Sequence, residues 1–286
     1  MPYLFLVSLL WGFSFGLIDA EFGELSGSTL AAARLLLALP CFLPFLDFKG
    51  ARPFMPTLLL IGAIQYGIMY VTLFRAFAFL EGYEVAVLTV FTPLYVILAQ
   101  AVLSRRMPPL RFWMVAAVAV AGTLLILLRG SFSAKLPGIL LMQVSNLCFA
   151  FGQIAYRRLR LRHPALRDLR VYALPFAGAA MAATLFALAG PAAPLRELAR
   201  LDSGQFLSLF YLGTVASGLG FFLWNAGAVR VNPASLAIFN NLKIPLAILL
   251  SLVVFREPAR LETLLPGTFL LFATLLYAEK GCRKPD

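Results

Sequence analysis

A single histidine, His163, and three scattered cysteines, Cys41, Cys148 and Cys282, leave the chain few ligands for a metal. No CxxC spacing and no histidine cluster accompanies them, so neither a zinc site nor a disulfide framework is expected. HExxH, GxSxG and Walker A patterns are also missing, so an enzyme is not expected, and no cofactor either. Charge is scarce: 13% of the 286 residues are charged and 61% are hydrophobic. A soluble domain is nearer a quarter charged and about half apolar. There is too little polar surface here to coat a water-soluble globule, which leaves an integral membrane protein. The N-terminus has no basic region before its first apolar run and no A-x-A cleavage site, so that run is expected to remain as a span.

What is present is a series of ten apolar runs, at about 3–19, 29–46, 57–80, 84–103, 111–128, 136–156, 171–189, 205–225, 233–255 and 261–278. A helix crosses a bilayer with about 20 apolar residues. Alternating barrel-type patterning is absent, so the fold class expected is an all-α integral membrane protein with ten transmembrane helices. The net charge of +11 sits between the runs and forms no basic face for nucleic acid. With the N-terminus inside, the cytoplasmic segments hold fifteen Lys and Arg and the outer ones six. That bias predicts both termini in the cytoplasm, at a bacterial inner membrane. The run RRLRLRHPALRDLR, Arg157 to Arg170, reads as a cytoplasmic loop facing anionic lipid.

The halves echo each other. FSFG at Phe13 matches FAFG at Phe149, Ala76-Phe77-Ala78 matches Ala226-Gly227-Ala228, and TPLYVILAQAVLSRR around Pro93 matches IPLAILLSLVVFRE around Pro245. Five spans per half is odd, so the second half enters from the opposite side. The expected organisation is therefore two inverted five-helix repeats, residues 1–130 and 131–286, as in many alternating-access carriers.

LLWGFSFGLI, TLAAARLLLALP and the Pro93 segment followed by AVAVAGTLLILL resemble the EamA domain of the drug/metabolite transporter superfamily. The second half resembles a more diverged copy. Where the family usually has Gly-Glu after the fourth span, this chain has Ser104-Arg105, while Arg256-Glu257 keeps the acid. The resemblance implies ten helices in two inverted halves, a central cavity lined by spans three, four, eight and nine, and export of small metabolites.

Residues three and four apart share a helix face. On that spacing, polar stripes fall at Asn240, Lys243 and Ser251 (with Asn241 beside them) in span nine, and at Gln65, Thr72 and Arg75 in span three. Further stripes are Gln143, Asn146 and Gln153 in span six, Thr89, Thr92 and Tyr95 in span four, and Thr214, Ser217 and Trp224, with Asn225, in span eight. Lipid satisfies none of these groups, so they should face one another or a water-filled cavity. The alternative for any one Ser or Thr is a hydrogen bond between helices. Arg34 and Arg75 each lie near a span end and could face substrate or snorkel. Pro93 and Pro245 are expected to kink their spans, and Gly12 and Gly16 to form a small-residue packing face. No Asp or Glu lies well inside a predicted span, so the intramembrane charges are cationic. The expected partner is a small anionic or zwitterionic substrate, an amino acid or related carboxylate, exported through a cavity in which Lys243 binds it. A phosphate-bearing lipid carrier or an opine-like metallophore suits the same charge.

Overall fold

The computed structural model describes residues 2–105, 132–191, 193–231, 236 and 239. Every regular element among them is helical. Six stretches are long and apolar enough to cross a membrane: Pro2–Phe22, Gly27–Phe45, Phe48–Ala76, Glu84–Leu103, Lys135–Arg162 and Ser203–Arg230, with a shorter helix at Ala173–Ala189. In chain order these are spans one to four, six, eight and, for the shorter helix, seven. Predicted spans five and ten lie outside the described residues. So does span nine apart from Leu236 and Phe239, and with it Asn240, Asn241, Lys243 and Pro245.

Spans three and six run furthest past their apolar runs. Span three begins near Phe48, where the Asp47 side chain accepts from the Gly50 amide and starts a helical turn. Span six continues as helix to Arg162, so part of the predicted cytoplasmic loop is helical. Arginine is a good helix former, and these arginines find acceptors. Arg157 Nε donates to the Ala228 carbonyl at the end of span eight, 3.1 Å away. Arg158 Nη1 donates to the Leu103 carbonyl at the end of span four, 2.6 Å away, and Arg160 pairs with Asp168. Cations there satisfy carbonyls that a helix C-terminus leaves unpaired. Span four then ends on Arg105 in the left-handed region, φ 54 and ψ 36, a conformation that favours glycine.

The charges segregate to the two ends. Arg157, Arg158, Arg160 and Arg230 gather at the end where span one begins, with Arg230 over the ring of Tyr3. The opposite end carries Glu197 on Ser26, Gln205 on the Glu21 carbonyl, and the Lys135–Glu84 ion pair.

Spans three and eight share an unusual feature. Each contains a π-helical segment, Ala63–Ile68 in one and Leu212–Leu219 in the other. Each segment is marked by two glycines five apart, Gly62 and Gly67, then Gly213 and Gly218. With i→i+5 bonding, residues five apart lie about one turn apart, so such glycines stack on one face. That face is where a neighbouring backbone comes close. A Cβ on Gly62 would lie 1.8 Å from the Pro175 carbonyl oxygen of span seven, and one on Gly213 would lie 2.6 Å from Leu37 Cβ of span two. Gly178 of span seven is pressed as tightly on the Leu59 carbonyl.

Candidate functional site

A cavity of about 60 Å³ opens among the helices. Its walls are largely aromatic. Trp11 and Phe15 come from span one, Tyr70 and Phe74 from span three, Phe149 from span six and Phe221 from span eight. Besides Ser14 of span one, polar groups cluster at two places. Thr89 and Thr92 of span four meet Ser145 and Asn146 of span six, and Arg34 enters from span two.

The first polar group repairs a broken helix. Pro93 lacks an N–H, and span four passes through a 3₁₀ turn, Thr89–Phe91, before resuming as α-helix at Thr92. At that turn the Thr89 carbonyl, which Pro93 cannot serve, accepts from the Thr92 N–H, the Leu88 carbonyl accepts from Asn146 Nδ2 at 2.8 Å, and Asn146 Oδ1 accepts from the Thr92 hydroxyl at 3.1 Å. Ser145 beside it donates to the Met69 carbonyl just beyond the π segment of span three, at 3.1 Å. Span six thus clasps the irregular backbone of both neighbours. Span one does the same elsewhere: Trp11 Nε1 donates to the Ala216 carbonyl in the π segment of span eight, and Ser8 to the Phe239 carbonyl, both at 2.9 Å.

The second polar group is Arg34. It is 2% exposed. Its Nε donates to Ser217 Oγ at 3.1 Å and its Nη2 to the Tyr70 hydroxyl at 3.0 Å. The guanidinium carbon lies 4.7 Å from the Tyr70 ring centre and 5.0 Å from that of Phe74. Arg34 therefore does not snorkel. Arg75 is exposed at the other arginine position, donating from Nε to Ser28 and facing Phe186.

The structure distributes the other expected residues. Gln65 and Asn225 form a buried pair, Gln65 Nε2 donating to Asn225 Oδ1 at 3.1 Å, and Asn225 Nδ2 also reaches the Tyr66 hydroxyl. Trp224 Nε1 donates to Gln153 Oε1 at 3.0 Å, and its ring lies against Trp11. Tyr95 donates to Gln143 at 3.0 Å. Thr72 is bonded to its own helix, at the Ile68 and Met69 carbonyls. None of these seven residues is among the described lining of the cavity, whereas Thr92, Asn146 and Arg34 are. Gly12 and Gly16 are buried in span one.

The span-three stripe fails for a physical reason. Gln65 lies inside the π segment and Thr72 and Arg75 beyond it. One extra residue per turn rotates everything downstream by about 100°, so three-and-four spacing no longer holds across the segment. Tyr70 and Phe74 take the inward face instead. The paired glycines five apart were the available signal for this shift. The aromatic lining carried no such mark in a chain that is 13% aromatic.

Residues 1–128 and 136–278 both match the EamA-like transporter family. The chain belongs to that family. It is 37% identical over 292 residues to a probable biotin transporter of Pseudomonas aeruginosa, covering 99% of each chain. It is 34% identical to the biotin transporter of Salmonella typhimurium and 32% to that of Escherichia coli K12, in each case over 96% of this chain and 91% of the relative. A solved crystal structure superposes with a TM-score of 0.69 over 99% of this chain and 94% of its own, at 17% identity, a likeness of fold. This EamA protein is thus an integral membrane transporter of a small molecule, and its relatives are transporters rather than enzymes.

Proposed function

We propose that this chain carries biotin, or a close analogue, across the bacterial inner membrane by alternating access to the cavity. The observation that carries the substrate is the resemblance to three biotin transporters along nearly the whole chain. Biotin joins a compact polar ureido ring to a carboxylate by a short alkyl chain. The chemistry of the lining, aromatic with an amide and hydroxyls on one wall and a guanidinium on another, suits such a molecule, although a cavity of about 60 Å³ must widen during the transport cycle to admit it. The substrate remains a small carboxylate, as the cationic span interiors suggest, but biotin replaces an amino acid as its best representative. The relatives' names give no direction, and a carrier open in turn to each side works both ways.

The architecture proposed is ten helices in two inverted repeats, 1–130 and 131–286. The cross-connections support it. Span one reaches the second half through Ala216 and Phe239, and span six reaches the first half through Met69 and Leu88. Span seven packs on the π segment of span three, and span two on that of span eight. Exchanging the halves converts each contact into its partner. Such pairs can rock between two equivalent packings about a central site. The arginine-rich end is proposed to be cytoplasmic. Lys243, with Asn240 and Asn241, remains proposed from sequence as a second cationic group at the cavity, and Lys243→Met should weaken carboxylate transport without loss of folded protein.

Expression in a biotin-auxotrophic bacterium lacking its own carrier tests the function. Growth on limiting biotin is the expected result. Growth no better than with empty vector, from protein present in the membrane, would reject it.

A further inference from the structure

We infer that Arg34 is the group that binds the carboxylate of the substrate. This rests on the proposed reading of the cavity as the transport site. A guanidinium has five N–H donors and a fixed positive charge. Two of those donors have partners among the described residues, the hydroxyls of Ser217 and Tyr70, and both partners are neutral. Nη1 has none among them, and no carboxylate of the described residues pairs with Arg34. A buried cation without an anion is costly, and a structural arginine at such a depth is ordinarily paired. Here the missing charge faces a cavity.

The surroundings hold the guanidinium ready. Tyr70 and Ser217 also hydrogen-bond to each other, at 3.0 Å, so the two acceptors form one unit spanning spans three and eight. The rings of Tyr70 and Phe74 lie beside the guanidinium and stabilise it electrostatically. The free donors can meet the two oxygens of a carboxylate side by side, the arrangement that distinguishes arginine from lysine. Span two supplies this cation while spans three and eight hold it, and the proposed transport motion runs through those two spans. Arrival of the anion therefore removes the charge imbalance at a junction between the halves.

The test compares biotin with biotinamide, which differs only in having a neutral amide for the carboxylate. Binding is followed by quenching of tryptophan fluorescence in purified protein, since Trp11 lines the cavity. Wild type should bind biotin about 10- to 100-fold more tightly than biotinamide, the scale of a charge-assisted pair. Arg34→Met should bind biotin no better than wild type binds biotinamide, with biotinamide itself little changed. An unaltered preference for biotin in Arg34→Met would overturn the assignment. If Arg34→Met does not fold, Arg34→Lys decides: a selective loss of biotin binding supports it, and equal loss of both ligands, or of neither, overturns it. Should wild type bind neither ligand, the biotin reading fails on its own. A response to pentanoate and not pentanamide would then still support Arg34, and no response to either would overturn it.

Discussion

Asn146 and Thr92 join span six to span four across the break before Pro93, the amide oxygen of one accepting from the hydroxyl of the other at 3.1 Å. The same amide donates to the Leu88 carbonyl at the break. Hydrogen bonds between membrane helices contribute modestly on average, and Asn146→Ala removes two at once at a buried site. Asn146→Ala should lower stability by about 1–3 kcal/mol, visible as a lower unfolding midpoint in detergent, and slow transport. Thr92→Val should cost less, since the Leu88 bond survives. Equal stability of all three proteins would show the clasp to be dispensable.

The close approach of spans three and seven makes a second prediction. Gly62→Ala drives a methyl group into the Pro175 backbone, which has no rotamer with which to yield. Folded yield should collapse. Gly23→Ala meets nothing nearer than 3.9 Å and should express like wild type. Size-exclusion profiles of the two variants check this, and a monodisperse Gly62→Ala peak at wild-type yield would contradict the packing.

Glu84 is buried at the start of span four and pairs with the partly exposed Lys135 of span six. Removing one partner should therefore be asymmetric. Lys135→Met strands a buried carboxylate at a cost of about 3–5 kcal/mol, whereas Glu84→Gln leaves a lysine that water can reach. The double variant should recover part of the loss. Glu84 also lies at a span end rather than in the cavity wall. Glu84→Gln, like Asp19→Asn and Glu81→Gln, should then retain substantial flux. Loss of proton-driven accumulation with exchange preserved, in any of the three, would identify a coupling carboxylate instead.

Sidedness follows from the charge bias. In a cysteine-free background, Ala165→Cys at the arginine-rich end should resist a membrane-impermeant thiol reagent applied to intact cells. Glu24→Cys at the opposite end should react. Labelling in the reverse order would invert the proposed orientation.

How much of this was legible in the sequence varied with the scale of the feature. Apolar runs located the described spans because crossing a bilayer needs length and little else. Their ends were misjudged where polar residues carry helix: Asp47 starts span three by a side-chain cap, and the arginines after Tyr156 extend span six by capping its neighbours. Asn146 and Thr92, grouped with their stripes by spacing, do meet at the cavity wall, but Tyr95, Gln143 and Gln153 of the same stripes do not, because the 3₁₀ turn Thr89–Phe91 breaks the spacing in span four and the span-six stripe runs past the cavity. Gln65, Thr72 and Arg75 were grouped by a spacing that the π segment of span three breaks. Tyr70 and Phe74 could not be singled out, because nothing in their chemistry separates them from other aromatic residues until packing brings Arg34 between them.

Flux of radiolabelled biotin into proteoliposomes of the purified protein tests the central claim most directly. Saturable uptake above protein-free vesicles is predicted, accelerated by unlabelled biotin on the inner side, competed by biotin outside and unaffected by an amino acid. Biotin entry no faster than into protein-free vesicles, from protein shown to be folded and inserted, would contradict the account.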